Sequence, residues 1–266
     1  MNRNISQAFH QAQARGEAAF IPFMTAGFPD RITFLDILQA LNQAGADLIE
    51  VGLPFSDPLA DGPVIQKSSQ MALENGITPA QVLDLIAEAR PKLTCPMVVM
   101  TYYNPVLRMG LDNFASRAAA AGVSGLIIPD LPPEEADPWL EVAAKRDLDT
   151  IFMVAPTTPP DRRRMIAELS RGFLYYVSLT GVTGSGFAVT DQLVTEIREL
   201  KQISTAPVAV GFGVSGPAEA KPLAAAADGV IVGSALIRQV LSETDPGRQV
   251  ALVAELAASI KAALRH

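Results

Sequence analysis

Residues Ile32–Leu53 read ITFLDILQALNQAGADLIEVGL. Apolar side chains recur at helical spacing up to Ala44, Gly45 stands where a helix C-terminus ends, and Asp47–Leu53 is a short apolar run closed by Pro54. A helix delivered into a buried strand is half of the unit that builds parallel sheets. The same alternation recurs along the chain. Further apolar runs lie near Phe20–Ala26, Met97–Tyr103, Gly125–Asp130, Thr150–Ala155, Phe173–Leu179, Pro207–Phe212 and Gly229–Val232. Amphipathic stretches between them include Leu111–Ala121, Glu134–Lys145, Arg162–Ser170, Asp191–Lys201 and Ala218–Ala226. Thr78 before Pro79, and Asp245 before Pro246, read as an N-cap followed by the first helical position. Gly122 is another helix end. Eight such runs in 266 residues predict an α/β chain folded as a (β/α)8 TIM barrel. An open doubly wound sheet is the alternative, but no GxGxxG follows the first run, where Thr25-Ala26-Gly27-Phe28-Pro29 stands.

The runs at Asp47–Leu53 and Met97–Tyr103 are separated by more chain than the others. The excess holds the loop Pro54–Gln66, PFSDPLADGPVIQ, and an additional helix at Pro79–Arg90. Long loops in compact domains usually serve function. Helical spacing at Ile5, Phe9 and Ala12, and again at Val250, Val253, Leu256 and Ile260, predicts terminal helices that cover an end or flank of the barrel. No linker divides the chain, so residues 1–266 are expected to form one catalytic domain.

Composition narrows the function. Apolar residues make up 49% and charged residues 18%, and mean hydropathy is positive, which excludes extended disorder. A net charge of −7 argues against nucleic acid or an anionic membrane as partner. The single cysteine, Cys95, excludes an internal disulfide and suits a reducing cytoplasm. No apolar run approaches bilayer length, and the opening MNRNISQAFHQAQ lacks a signal-peptide core. The only histidines are His10 and His266, so no metal site is expected, nor a Ser-His or Cys-His nucleophile. Chemistry falls to carboxylates, tyrosines, lysines and backbone groups.

A barrel active site lies at the C-terminal strand ends. With Ile49 and Val51 facing the helices, alternation turns Leu48, Glu50 and Gly52 inward. A carboxylate there has its pKa raised by desolvation, which suits proton transfer near neutral pH; a structural carboxylate held by backbone N–H groups is the other reading. Asp57 and Asp61, in Ser-Asp-Pro and Asp-Gly-Pro, are either functional or ordinary turn residues. Phe55, Pro58 and Leu59 are apolar groups on the same loop, suited to a lid or a protein contact, and Tyr103-Asn104-Pro105-Val106-Leu107 reads similarly. Tyr175 either presents its hydroxyl inward or packs. Glycine-rich turns at Gly181–Gly186, Gly211-Phe212-Gly213 and Gly233-Ser234 follow the last three strands. They point to phosphate held by backbone amides, without Lys or Arg in the turns. Arg162-Arg163-Arg164 reads as a solvated helix face.

Taken together, Phe23–Pro29, the block Glu50-Val51-Gly52-Leu53-Pro54-Phe55-Ser56-Asp57-Pro58-Leu59-Ala60-Asp61-Gly62-Pro63, Gly181-Val182-Thr183-Gly184 and Gly211-Phe212-Gly213 closely resemble the tryptophan synthase alpha subunit family over essentially the whole chain. The resemblance implies a lyase that cleaves indole-3-glycerol phosphate to indole and D-glyceraldehyde 3-phosphate. It implies Glu50 as general acid/base and Asp61 as the group facing the charge that develops at the indole N–H. Phe23, Met100 and Tyr175 would line the indole pocket, and Gly184, Gly213, Gly233 and Ser234 would hold the phosphate. It further implies a cytoplasmic αββα complex, contacted through Phe55, Asp57, Pro58, Tyr103, Asn104 and Pro105. Pyridoxal phosphate would belong to the beta subunit, with no cofactor in this chain. The chain departs from the family pattern at Leu179, where Arg is frequent, which bears on loop closure and not on Glu50. The competing classes are another phosphosugar isomerase or aldolase, for which no strand run supplies a Schiff-base lysine, and a non-catalytic binding subunit.

Overall fold

The computed structural model describes residues 4–177, 189–211 and 213–265. Among them nine strands form one sheet: β1 (Ala19–Thr25), β2 (Ile49–Gly52), β3 (Met97–Met100), β4 (Gly125–Ile127), β5 (Asp149–Ile151), β6 (Met153–Val154), β7 (Leu174–Val177), β8 (Val208–Gly211) and β9 (Gly229–Val232). Their order is β5-β4-β3-β2-β1-β9-β8-β7-β6, and every pairing is parallel. The two end strands are consecutive pieces of chain broken only at Phe152. Its N–H donates to Ser170 Oγ (3.1 Å) and its carbonyl accepts from Tyr175 N–H (3.0 Å). The chain itself therefore closes the ring, giving eight staves of a TIM barrel and excluding the open sheet.

Alternation sorts the side chains as expected. Ile49, Val51, Met97, Val99 and Leu126 join the layer between sheet and helices. Leu48, Val98, Ile127, Ile151, Phe173, Tyr175, Ala209 and Ile231 fill the barrel interior. The helix Ile5–Ala14 plugs the bottom. Its Ile5, Phe9 and Ala12 belong to that interior cluster, and Phe9 meets Phe173 at 5.6 Å. At the same end Lys261 joins Glu17 (2.8 Å) to Asp47 (2.7 Å), tying the C-terminal helix Pro246–Ala263 to the starts of β1 and β2. Burial pushes the Glu17 pKa up, but hydrogen bonds from Lys261 and Arg15 outweigh it and hold the carboxylate at about 2.

The predicted helix ends hold. Thr78 and Gln81 form a reciprocal capping box, Asp245 accepts from Arg248 N–H (2.8 Å), and Gly45 and Gly122 adopt φ of 93° and 82°. Two helices were not expected. The loop after β2 ends at Gly62, where the helix Pro63–Glu74 begins. Its buried positions are Ser68, Ser69 and Ala72, too polar to show as an apolar stripe. Tyr103–Met109, read as a loop-like contact stretch, is a short helix. Arg163 is not a freely solvated face either, since it donates to the carbonyls of Pro156 (2.8 Å) and Thr158 (2.9 Å).

Candidate active site

The pairing register sets Phe23 beside Glu50 and Gly52 beside Met100, while Met153 pairs with Tyr175 across the barrel. These residues meet at the C-terminal mouth. Phe23, Glu50, Asp61, Met100, Tyr175, Gly213, Gly233 and Ser234 all line one cavity of about 210 Å³. Two strand glycines make room for its aromatic walls. A Cβ at Gly52 would lie 2.4 Å from the Phe23 ring, and one at Gly211 would lie 2.3 Å from the Tyr175 hydroxyl. Tyr175 thus faces inward, which decides the open alternative for it.

Glu50 is 1% exposed. Its Oε2 is buried without a hydrogen-bond partner among the described residues, which speaks against a carboxylate held there by backbone N–H groups. Burial, and then the negative Asp61 nearby, push the Glu50 pKa up to about 8. Asp61 is half-buried; burial raises its pKa, the Tyr102 hydroxyl pulls it down, and the balance is about 6. Near pH 7 the pair therefore holds one proton donor and one anion, the division of roles that two carboxylates in unlike surroundings produce. Burial and both carboxylates also raise the Tyr175 pKa well above that of a free phenol, keeping it neutral.

At the opposite wall Gly213 has φ of 82°, a left-handed conformation that favours glycine. Gly233 and Ser234 open the helix Ser234–Leu241, whose first N–H groups lack intrahelical acceptors. Arg238, one turn further on, also lines the cavity. It supplies a cation that the glycine turns themselves lack. Gly184, Leu179 and the rest of the Gly181–Gly186 turn lie outside the described residues.

Sequence reasoning missed Tyr102, Ile65, Met153 and Arg238. For Tyr102 a signal existed: Val98 and Met100 face inward, so period-two alternation carries on to 102. For Arg238 the signal was its place four residues after Ser234, on the same helix face. The candidate contact segments are also neighbours. Phe55, Asn104 and Pro105 line one groove beside the mouth. Asp57 and Asn104 are exposed, as are Leu59 (96%) and Leu107 (51%). Among the described residues, no three His, Cys, Asp or Glu side chains gather as metal ligands, and no helix is long and apolar enough to cross a membrane.

Comparison with known proteins agrees in sequence and in shape. The profile of the family described as tryptophan synthase alpha chain matches residues 9–265. The chain is 48% identical over 260 residues to the tryptophan synthase alpha chain of Gloeobacter violaceus, covering 97% of this chain and 94% of that one. It is 49% identical over 234 residues to that of Chloroflexus aurantiacus, covering 88% of each. The crystal structure of tryptophan synthase subunit alpha from Legionella pneumophila superposes with a TM-score of 0.90 at 36% identity, over 99% of this chain and 98% of that one. Tryptophan synthase from M. tuberculosis gives 0.86 at 39% identity, over 97% and 99%. A barrel whose mouth sets two carboxylates opposite a glycine-lined turn, matched along nearly its whole length, belongs to the tryptophan synthase alpha chain family.

Proposed function

We propose that Glu50 is the general acid/base, and Asp61 the electrostatic partner, of the alpha-subunit reaction. That reaction is cleavage of indole-3-glycerol phosphate to indole and D-glyceraldehyde 3-phosphate, with indole passed to the beta subunit for L-tryptophan synthesis. The single observation behind the assignment is the buried Glu50 carboxyl, its Oε2 without a hydrogen-bond partner among the described residues, beside a second carboxylate. A protonated Glu50 delivers its proton to indole C3. The ring loses aromaticity and its N–H becomes cationic, facing ionised Asp61. Glu50, now a carboxylate, assists removal of the glycerol hydroxyl proton as the carbon–carbon bond breaks and the electrons return to the ring. Both groups act on charge that exists mainly in the transition state.

In this reading Phe23, Met100 and Tyr175 hold the indole, and the amides of Gly213, Gly233 and Ser234 hold the phosphate, with Gly184 as the further expected contact. No lysine lines the cavity among the described residues, so a Schiff-base aldolase finds no nucleophile there. The whole chain serves as one catalytic domain in the cytoplasm and carries no cofactor, pyridoxal phosphate being the beta subunit's.

The pH dependence tests the two roles. Asp61 must be ionised and Glu50 protonated, so kcat/KM should rise through about pH 6 and fall through about pH 8. A profile flat between pH 5 and 9 contradicts the assignment.

The Phe55–Pro58 and Tyr103–Pro105 segments form the surface for the beta subunit. Asp57→Ala should leave cleavage by the isolated chain within about 2-fold, the scale of an exposed substitution, while weakening its stimulation by added beta subunit. Unchanged stimulation removes Asp57 from the interface.

A further inference from the structure

Tyr102 sits just beyond β3, is 4% exposed, and reaches the Asp61 loop with both ends of its side chain. Its ring lies against Phe55, with centroids 5.3 Å apart and planes tilted by 32°. Its hydroxyl accepts a hydrogen bond from Ala60 N–H (2.9 Å). A phenol has one proton to donate; with an acceptor position taken by Ala60, the hydroxyl keeps that proton free to turn toward the neighbouring Asp61 carboxylate, whose pKa it lowers. On the other side, Tyr103 N–H donates to Asp130 Oδ1 (2.8 Å), fixing this strand end to the segment after β4. Tyr102 is therefore anchored in the barrel, while the loop carrying Asp61 is anchored on Tyr102.

We propose that Tyr102 is a positioning residue that sets the place of Asp61 in the reaction, from a ring packed against the segment that faces the beta subunit. The proposal rests on the assignment of Asp61 made above. Tyr102 does not need to touch the substrate: the hydroxyl fixes the backbone of Ala60, next to Asp61, relative to β3, and the Phe55 contact fixes the start of the same loop. The groups that face Asp61 are Glu50 from β2, Tyr102 from just beyond β3 and Tyr175 from β7, with Arg238 across the cavity; Asp130 faces Tyr102. Of these, Tyr102 pulls the Asp61 pKa down.

The test is a double-mutant cycle on the full chain assembled with its beta subunit, comparing Tyr102→Phe, Asp61→Asn and the two together. Tyr102→Phe keeps the ring and its contact with Phe55, so the loop remains packed. We expect kcat for indole release to fall roughly 10-fold, the scale of one hydrogen bond to a charged group, with KM little changed. The rising limb of the pH profile should move upward from about 6. In the Asp61→Asn background the same substitution should cost nothing further. An equal loss in both backgrounds, or a lower kcat with the rising limb unmoved, overturns the positioning role and leaves Asp61 in place. Full activity of Asp61→Asn alone overturns the reading of Asp61, and the proposal with it.

Discussion

Glu50→Gln lowers indole release by about 10²–10⁴-fold, the usual contribution of a positioned general acid/base. The substitution keeps the shape of the side chain and removes the carboxyl proton at the buried end of the cavity. Loss of fold would not explain the result, because the carboxyl works against stability. A folded-state pKa raised from 4.5 to about 8 means that the cost of burying it appears as pH rises above 4.5 and is fully expressed above about 8. The Tm difference between variant and parent should therefore shift in favour of the variant across that window. A variant that loses activity while gaining relative stability with pH places Glu50 in catalysis. Near-normal turnover, or a Tm difference that moves the other way, contradicts the role.

Asp61→Asn has the second largest effect, about 10²–10³-fold, comparable to removing one preorganised group that faces developing charge. The amide is nearly isosteric but offers no negative charge to the indolium. The pH profile separates this from simple displacement of the loop. Without Asp61 the rising limb near 6 disappears. The falling limb moves below 8, because the negative neighbour that helps keep Glu50 protonated is gone. A loss of rate with both limbs in place would mean that Asp61 acts only by shaping the loop.

These side chains were legible because the strand period is two and a barrel has an inside. Once Ile49 and Val51 are assigned outward, Glu50 has nowhere to point but into the mouth. Gly213, Gly233 and Ser234 were legible from their places after the last strands, although spacing alone could not show that they share a cavity with Phe23 and Met100. Gly52 and Gly211 carry a different meaning from the one their neighbours suggest: each clears the path of an aromatic ring on the adjacent strand, a constraint visible only in three dimensions. The helix Pro63–Glu74 escaped notice because it buries serines. Ser68 shares a hydrogen bond with Thr25 (2.7 Å) instead of filling an apolar stripe. Tyr102 escaped because the exposed-looking Tyr103-Asn104-Pro105 beside it drew attention to the surface, whereas its own hydroxyl is spent on a loop about 40 residues earlier. At the break, the Phe152 N–H donates to Ser170 Oγ and not to a neighbouring strand, a long-range contact that local propensity does not encode.

The most direct measurement is indole release from indole-3-glycerol phosphate by the purified chain, alone and with a beta subunit, in the presence of a chelator. The two-carboxylate site predicts slow release by the chain alone, a strong rise with the partner, and no dependence on metal. No release in either case from a folded chain, or release abolished by the chelator, would contradict it.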